Sequence, residues 1–218
     1  MEFILDNVEK TTAITDAILA VMAIASAMYL CSLEQKRQRT FTYWIWAFGL
    51  LGLAAILGTF AHGFKISSVL QTLLWYPLNL SLGLLVAFIL VAVVNDLWGK
   101  MIARRLLPVM LLISVGFFGI TLIEPDSFLP FIIYEAVVML FALGGYIWAG
   151  YREQFKGAWW MAAGIFVTIV AAGVQASGSI LFTFIWIFDQ NGAYHLIQMV
   201  GIVLLVIGLR KTRRHLSL

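Results

Sequence analysis

Seven apolar runs separated by short links take up almost the whole chain, and about 20 apolar residues is the length an α-helix needs to cross a bilayer. The runs cover residues 13–33, 40–64, 68–94, 106–123, 128–149, 158–188 and 191–209. In lipid, every backbone N–H and C=O must find its partner inside the segment, so the expected fold is all-α, a seven-transmembrane helix bundle. Composition agrees: 62% of residues are hydrophobic and 11% charged, against about 25% charged in soluble domains. Seven spans leave little of the 218 residues over, so a single integral membrane domain, 1–218, is expected. No strand-like alternation is visible. The sixth run, at 158–188, exceeds a perpendicular span and must tilt, break or protrude, with Gly178 the expected place.

The first ten residues hold three acids and one lysine. They lack the basic start of a cleavable signal peptide, so the first run is read as a retained helix. One cysteine, Cys31, excludes an intramolecular disulfide and a cysteine metal cluster.

The basic residues orient the bundle. On alternate connections, twelve of them collect on one side: Lys36, Arg37, Arg39, Lys100, Arg104, Arg105, Arg152, Lys156, Arg210, Lys211, Arg213 and Arg214; Lys10 and Lys65 lie on the other. The positive-inside rule then puts the N-terminus outside and the C-terminus in the cytoplasm, in a plasma (bacterial inner) membrane. The net charge of +3 is therefore a topology signal, and no nucleic-acid partner is implied. Trp44 and Trp46 read as interfacial anchors of the second span, and Gly144 with Gly145 as a site of close helix contact.

Against this background the polar residues inside the spans stand out. The stretch 189–198 opens span seven with Asp189, Gln190, Asn191, His195 and Gln198, and Asn191, His195 and Gln198 share one helical face. Asp16 follows Thr11, Thr12 and Thr15 into span one; His62 ends span two; Asn79, Glu135 and Gln175 lie in the outer halves of spans three, five and six. Six helices thus contribute polar groups at one level, and the cytoplasmic half holds nothing comparable. This pattern predicts an outward cavity lined by ionisable groups. Plainer readings stand beside it. Asp189 is also the natural N-cap of span seven, Asp16 could cap a late helix start or stay solvated, and Asn79, Gln175 and Gln198 could simply bind helices together. No Lys or Arg lies within a span to neutralise Glu135, so it is protonated or faces His62, His195, a metal or water.

Two histidines on separate helices carry the sharper chemistry. With one carboxylate they would make a zinc site, and at similar depth they could instead clamp a haem. No close His-x-x-x-His or His-Glu-x-x-His pair exists, so ligands must converge from different helices. The lack of a span-seven lysine before Lys211 argues against a retinal Schiff base.

The stretch Gly58-Thr59-Phe60-Ala61-His62-Gly63, with Asn191-Gly192-Ala193-Tyr194-His195, resembles the seven-helix superfamily of alkaline ceramidases and progestin/adiponectin-type receptors. The chain is similar to a divergent, bacterial-type member, with Thr-Asp-Ala early in helix one and Tyr-His-Leu-Ile-Gln in helix seven. The resemblance implies a zinc ion held by His62, His195 and a carboxylate such as Asp189, and hydrolysis of a lipid amide or ester with Glu135 or Asp16 as general base. Asn191 stands where that superfamily has its first helix-seven histidine, Gly58 or Thr59 where it has a serine, and no aspartate opens span three, Asn79 being the nearest polar group. The alternative is a non-enzymatic sensor or lipid-binding protein that has lost the metal, with Thr59, Asn79, Gln175, Asn191 and Gln198 lining the cavity. A haem-binding protein is third. Membrane lipid is the expected partner in each case.

Overall fold

A computed structural model describes residues 2–4, 6–37, 41–123, 129–178 and 180–212. Seven helices dominate: α1 (Asn7–Arg37), α2 (Thr42–Gly63), α3 (Ser68–Trp98), α4 (Lys100–Ile123), α5 (Leu129–Tyr151), α6 (Ala158–Ala176) and α7 (Gln190–Thr212). All seven are long and apolar enough to cross a membrane. Thr40 and Phe128, the first residues of two expected spans, lie outside the described residues, as do Arg39, Arg213 and Arg214 of the charge split.

Contacts between helices close a ring in the order α1, α2, α3, α5, α6, α7 and back to α1. The fourth helix stays outside this ring, packed on α3, and is the least buried of the seven. Its role is lateral support, and it contributes nothing to the central space. A close seam joins α6 to α7. A Cβ on Gly164 would lie 2.7 Å from Leu205 Cγ, and one on Gly208 would lie 2.6 Å from Met161 Sδ. Small residues permit such approach where lipid offers no hydrophobic force to drive helices together. Of the expected pair at 144 and 145, only Gly145 makes a close contact, against Leu97, while Gly144 meets open space.

Helix ends depart from the expected spans in three instructive ways. The first helix begins six residues earlier than expected, at Asn7, so Asp16 sits inside it as neither cap nor solvated residue. The third runs past residue 94 to Trp98 and stops at Gly99, whose φ of 88° only glycine adopts easily. The sixth breaks at its end, as its excess length demanded: α6 finishes at Ala176, and Gly178, with φ of 64°, turns the chain.

After that turn the chain forms strands, which the apolar pattern did not reveal. Strand β3 (Leu181–Thr183) pairs antiparallel with β4 (Ile187–Asp189), with Phe182 opposite Phe188 and their rings stacked at 5.3 Å. A second small pairing joins β1 (Glu2–Phe3) to β2 (Phe64–Lys65), beside the end of α2. Both pairings sit at the end of the ring where α1 starts. Segments of two or three residues are too short to show a period, so only the tertiary context exposes them.

Candidate functional site

The site is built on α1 and α7 where they meet. Asp189 immediately precedes α7 and accepts the Gly192 N–H at 2.8 Å through Oδ1, which makes it the N-cap. The same oxygen accepts the Thr12 hydroxyl at 3.0 Å, tying the start of α7 to α1. This brace brings His195, one turn further along, against the next turn of α1.

There the imidazole is held at both nitrogens. Thr15 Oγ1 lies 2.9 Å from His195 Nδ1, and Asp16 Oδ1 lies 3.1 Å from Nε2. The Thr15 hydroxyl is also 2.9–3.0 Å from the carbonyls of Thr11 and Thr12, its own preceding turn. With its proton directed to those carbonyls, Nδ1–H donates to Oγ1, and a single proton serves the contact between Nε2 and Asp16. Both members of the pair are buried. Gly58 of α2 makes room for it: a Cβ there would come 2.6 Å from Asp16 Oδ2.

This pair lines a cavity of about 310 Å³ inside the ring. His62, Gln175 and Asn191 complete its polar end; Leu19, Leu51, Ala54, Leu78, Leu82 and Phe131 make the wall below, and Trp75 and Tyr194 flank it. The two imidazoles therefore share one hollow. Gln175 Nε2 donates to Asn191 Oδ1 at 3.4 Å, and Asn191 Nδ2 to Asp189 Oδ2 at 3.4 Å, a weak chain around the rim. His62 is anchored elsewhere: its Nδ1 pairs with Glu9 Oε2 of α1 at 2.8 Å, and its ring meets Trp75 edge to face.

Other expected site residues are distributed differently. Glu135 and Gln198 do not reach the outer cavity; they line a smaller chamber behind it. Asn79 lines neither space, and Thr59 spends its hydroxyl on the Ala55 carbonyl at 2.8 Å. Asp189 is occupied as a cap. Among the described residues no group of three His, Cys, Asp or Glu side chains could hold a metal ion. Of the three residues expected to hold zinc, His62 and His195 line the outer cavity, whereas Asp189 does not line it and is committed to the brace between α1 and α7. A haem clamp through His195 Nε2 would have to displace Asp16 from that nitrogen.

Sequence reasoning passed over Glu9, Thr15 as a partner, and Tyr194. It also missed a polar cluster at the opposite end of the ring. Asp96 Oδ2 accepts from Trp44 Nε1 and from the Tyr146 hydroxyl, each at 2.9 Å, joining α2, α3 and α5. Trp44 is thus buried at 2% exposure and is no interfacial anchor, whereas Trp46 is 56% exposed. The signal was available: an Asp two residues beyond the expected span, which one more half-turn of helix brings inside.

Seven helices of membrane-crossing length, six of them ringed around a cavity with a buried Asp–His pair at one end, define an α-helical membrane protein with an internal cavity. Within that class, the chain belongs to a family of unknown function, DUF6962, which matches residues 11–214. No curated protein and no solved structure matches it.

Proposed function

We propose that the chain is a non-enzymatic membrane protein whose cavity, open to the outer face, binds a small amphipathic ligand with an amine or hydroxyl head. The observation that carries this reading is the cavity's division into a polar end, with Asp16 and His195, and an apolar wall of Leu, Ala and Phe. An amine seated beside Asp16 would gain a charge-assisted hydrogen bond, and its chain would be covered by the wall. The twelve-to-two split of basic residues supports an orientation with this end of the bundle outside and the C-terminus in the cytoplasm. In this reading the chain is a divergent relative of the ceramidase and receptor superfamily, in a plasma (bacterial inner) membrane, with the scaffold turned to binding.

The test is native mass spectrometry of the full chain in nanodiscs, with titration of long-chain amines and alcohols. Wild type is expected to retain or take up such a ligand. Asp16→Asn is expected to weaken binding of the amine by about tenfold or more, the scale of one hydrogen bond to a charged group. Equal binding by both proteins, or none by either, rejects the proposal. A second reading keeps the hydrolase, because Asp16, His62 and His195 do line one cavity. One equivalent of zinc, lost in both His62→Ala and His195→Ala, together with lipid amide hydrolysis would establish it instead.

A further inference from the structure

Behind the outer cavity lies a chamber of about 30 Å³, room for a water-sized guest. Tyr194 and Leu51 line both spaces and so form the partition between them. The chamber's polar lining comes from Glu135 on α5, Thr168 on α6, and Tyr194 and Gln198 on α7. Glu135 is 8% exposed and Gln198 is 6% exposed.

Oxygen acceptors predominate in this lining. Gln198 Oε1 is fully enclosed and has no hydrogen-bond partner among the described residues. Glu135 forms neither a hydrogen bond nor an ion pair among them. The Thr168 hydroxyl proton goes to the Gly164 carbonyl at 3.1 Å, which leaves oxygen lone pairs as what that side chain can offer. An enclosed acceptor left unpaired, beside a carboxylate with no partner among the described residues, is costly, and more so within a bilayer. A guest that brings positive charge and needs only oxygen around it relieves both together. Since the chamber holds one carboxylate, a single positive charge balances it, whereas a divalent ion would leave a net charge in the low-dielectric interior.

We propose that this chamber is a monovalent-cation site, with Glu135 as the charged ligand and Gln198 Oε1 and the Thr168 and Tyr194 hydroxyl oxygens as neutral ones. The cation reaches it from the outer cavity past Tyr194. The site stands on its own lining and does not depend on what the outer cavity binds.

Sodium is the probe. The full chain in detergent is unfolded thermally in sodium chloride or in choline chloride, at equal ionic strength and pH. A sodium-specific, saturable rise in midpoint is expected, about 3–6 °C at tenfold over the dissociation constant for a protein of this size. Glu135→Gln and Gln198→Leu should each abolish it, while Asp16→Asn should leave it in place. Identical wild-type midpoints in the two salts overturn the proposal, and show a chamber that holds water alone. A sodium effect that survives both chamber variants overturns it as well, by placing the ion elsewhere. Should either variant fail to fold, the wild-type comparison and direct ²²Na⁺ binding by the wild type decide: no specific binding overturns the site.

Discussion

Gly58 and Asp16 face each other across the α1–α2 contact so closely that a methyl group on residue 58 would lie 2.6 Å from the Asp16 carboxylate. The absent side chain on α2 is therefore what lets Asp16 turn toward His195. Gly58→Ala is expected to push the carboxylate off Nε2 and to cost about 1–3 kcal/mol as an overpacking change. Thermal unfolding, with the imidazole ¹⁵N shifts of His195 as the local readout, checks it. Unchanged shifts and midpoint would show that the pair does not need this space.

Asp189 caps α7 and also accepts the Thr12 hydroxyl, so one carboxylate serves both the helix and its neighbour. Asp189→Ala should lower stability by about 1–2 kcal/mol, the loss of a cap. It should also loosen the outer end of α7, seen as faster hydrogen exchange over its first turn. Asp189→Asn, which keeps an acceptor oxygen, is expected to lose less.

At the far end of the ring, Trp44 and Tyr146 converge on one oxygen of Asp96. Trp44→Phe keeps an aromatic ring but removes the donor, and a hydrogen bond to a charged group is worth about 1.5–3 kcal/mol. A midpoint within experimental error of wild type would show that the indole N–H contributes nothing there.

The seam between α6 and α7 depends on absent side chains. At Gly208 a Cβ would strike Met161, and at Gly164 it would strike Leu205. Gly208→Leu is expected to separate the helices and to abolish recovery of folded, monodisperse protein on size exclusion. Gly144→Leu, where open space surrounds the position, should be tolerated.

These outcomes divide along what could be read in one dimension and what could not. The seven helices and the break after α6 follow from local rules, because a backbone in lipid must satisfy its hydrogen bonds within each segment and glycine marks where it stops. The common face of Asn191, His195 and Gln198 is equally local, since helical spacing alone sets it. Lateral order has no such local signature: lipid tails are as apolar as leucine, so hydropathy does not say which helix a span prefers. Packing alone decided that α4 stays outside the ring, that Gly58 opens a place for Asp16, and that Thr15 and Asp16 hold both nitrogens of His195. It also decided that Tyr194 sets Glu135 apart in a chamber of its own, because depth along a helix is a matter of counting residues, but enclosure depends on which neighbours close around it.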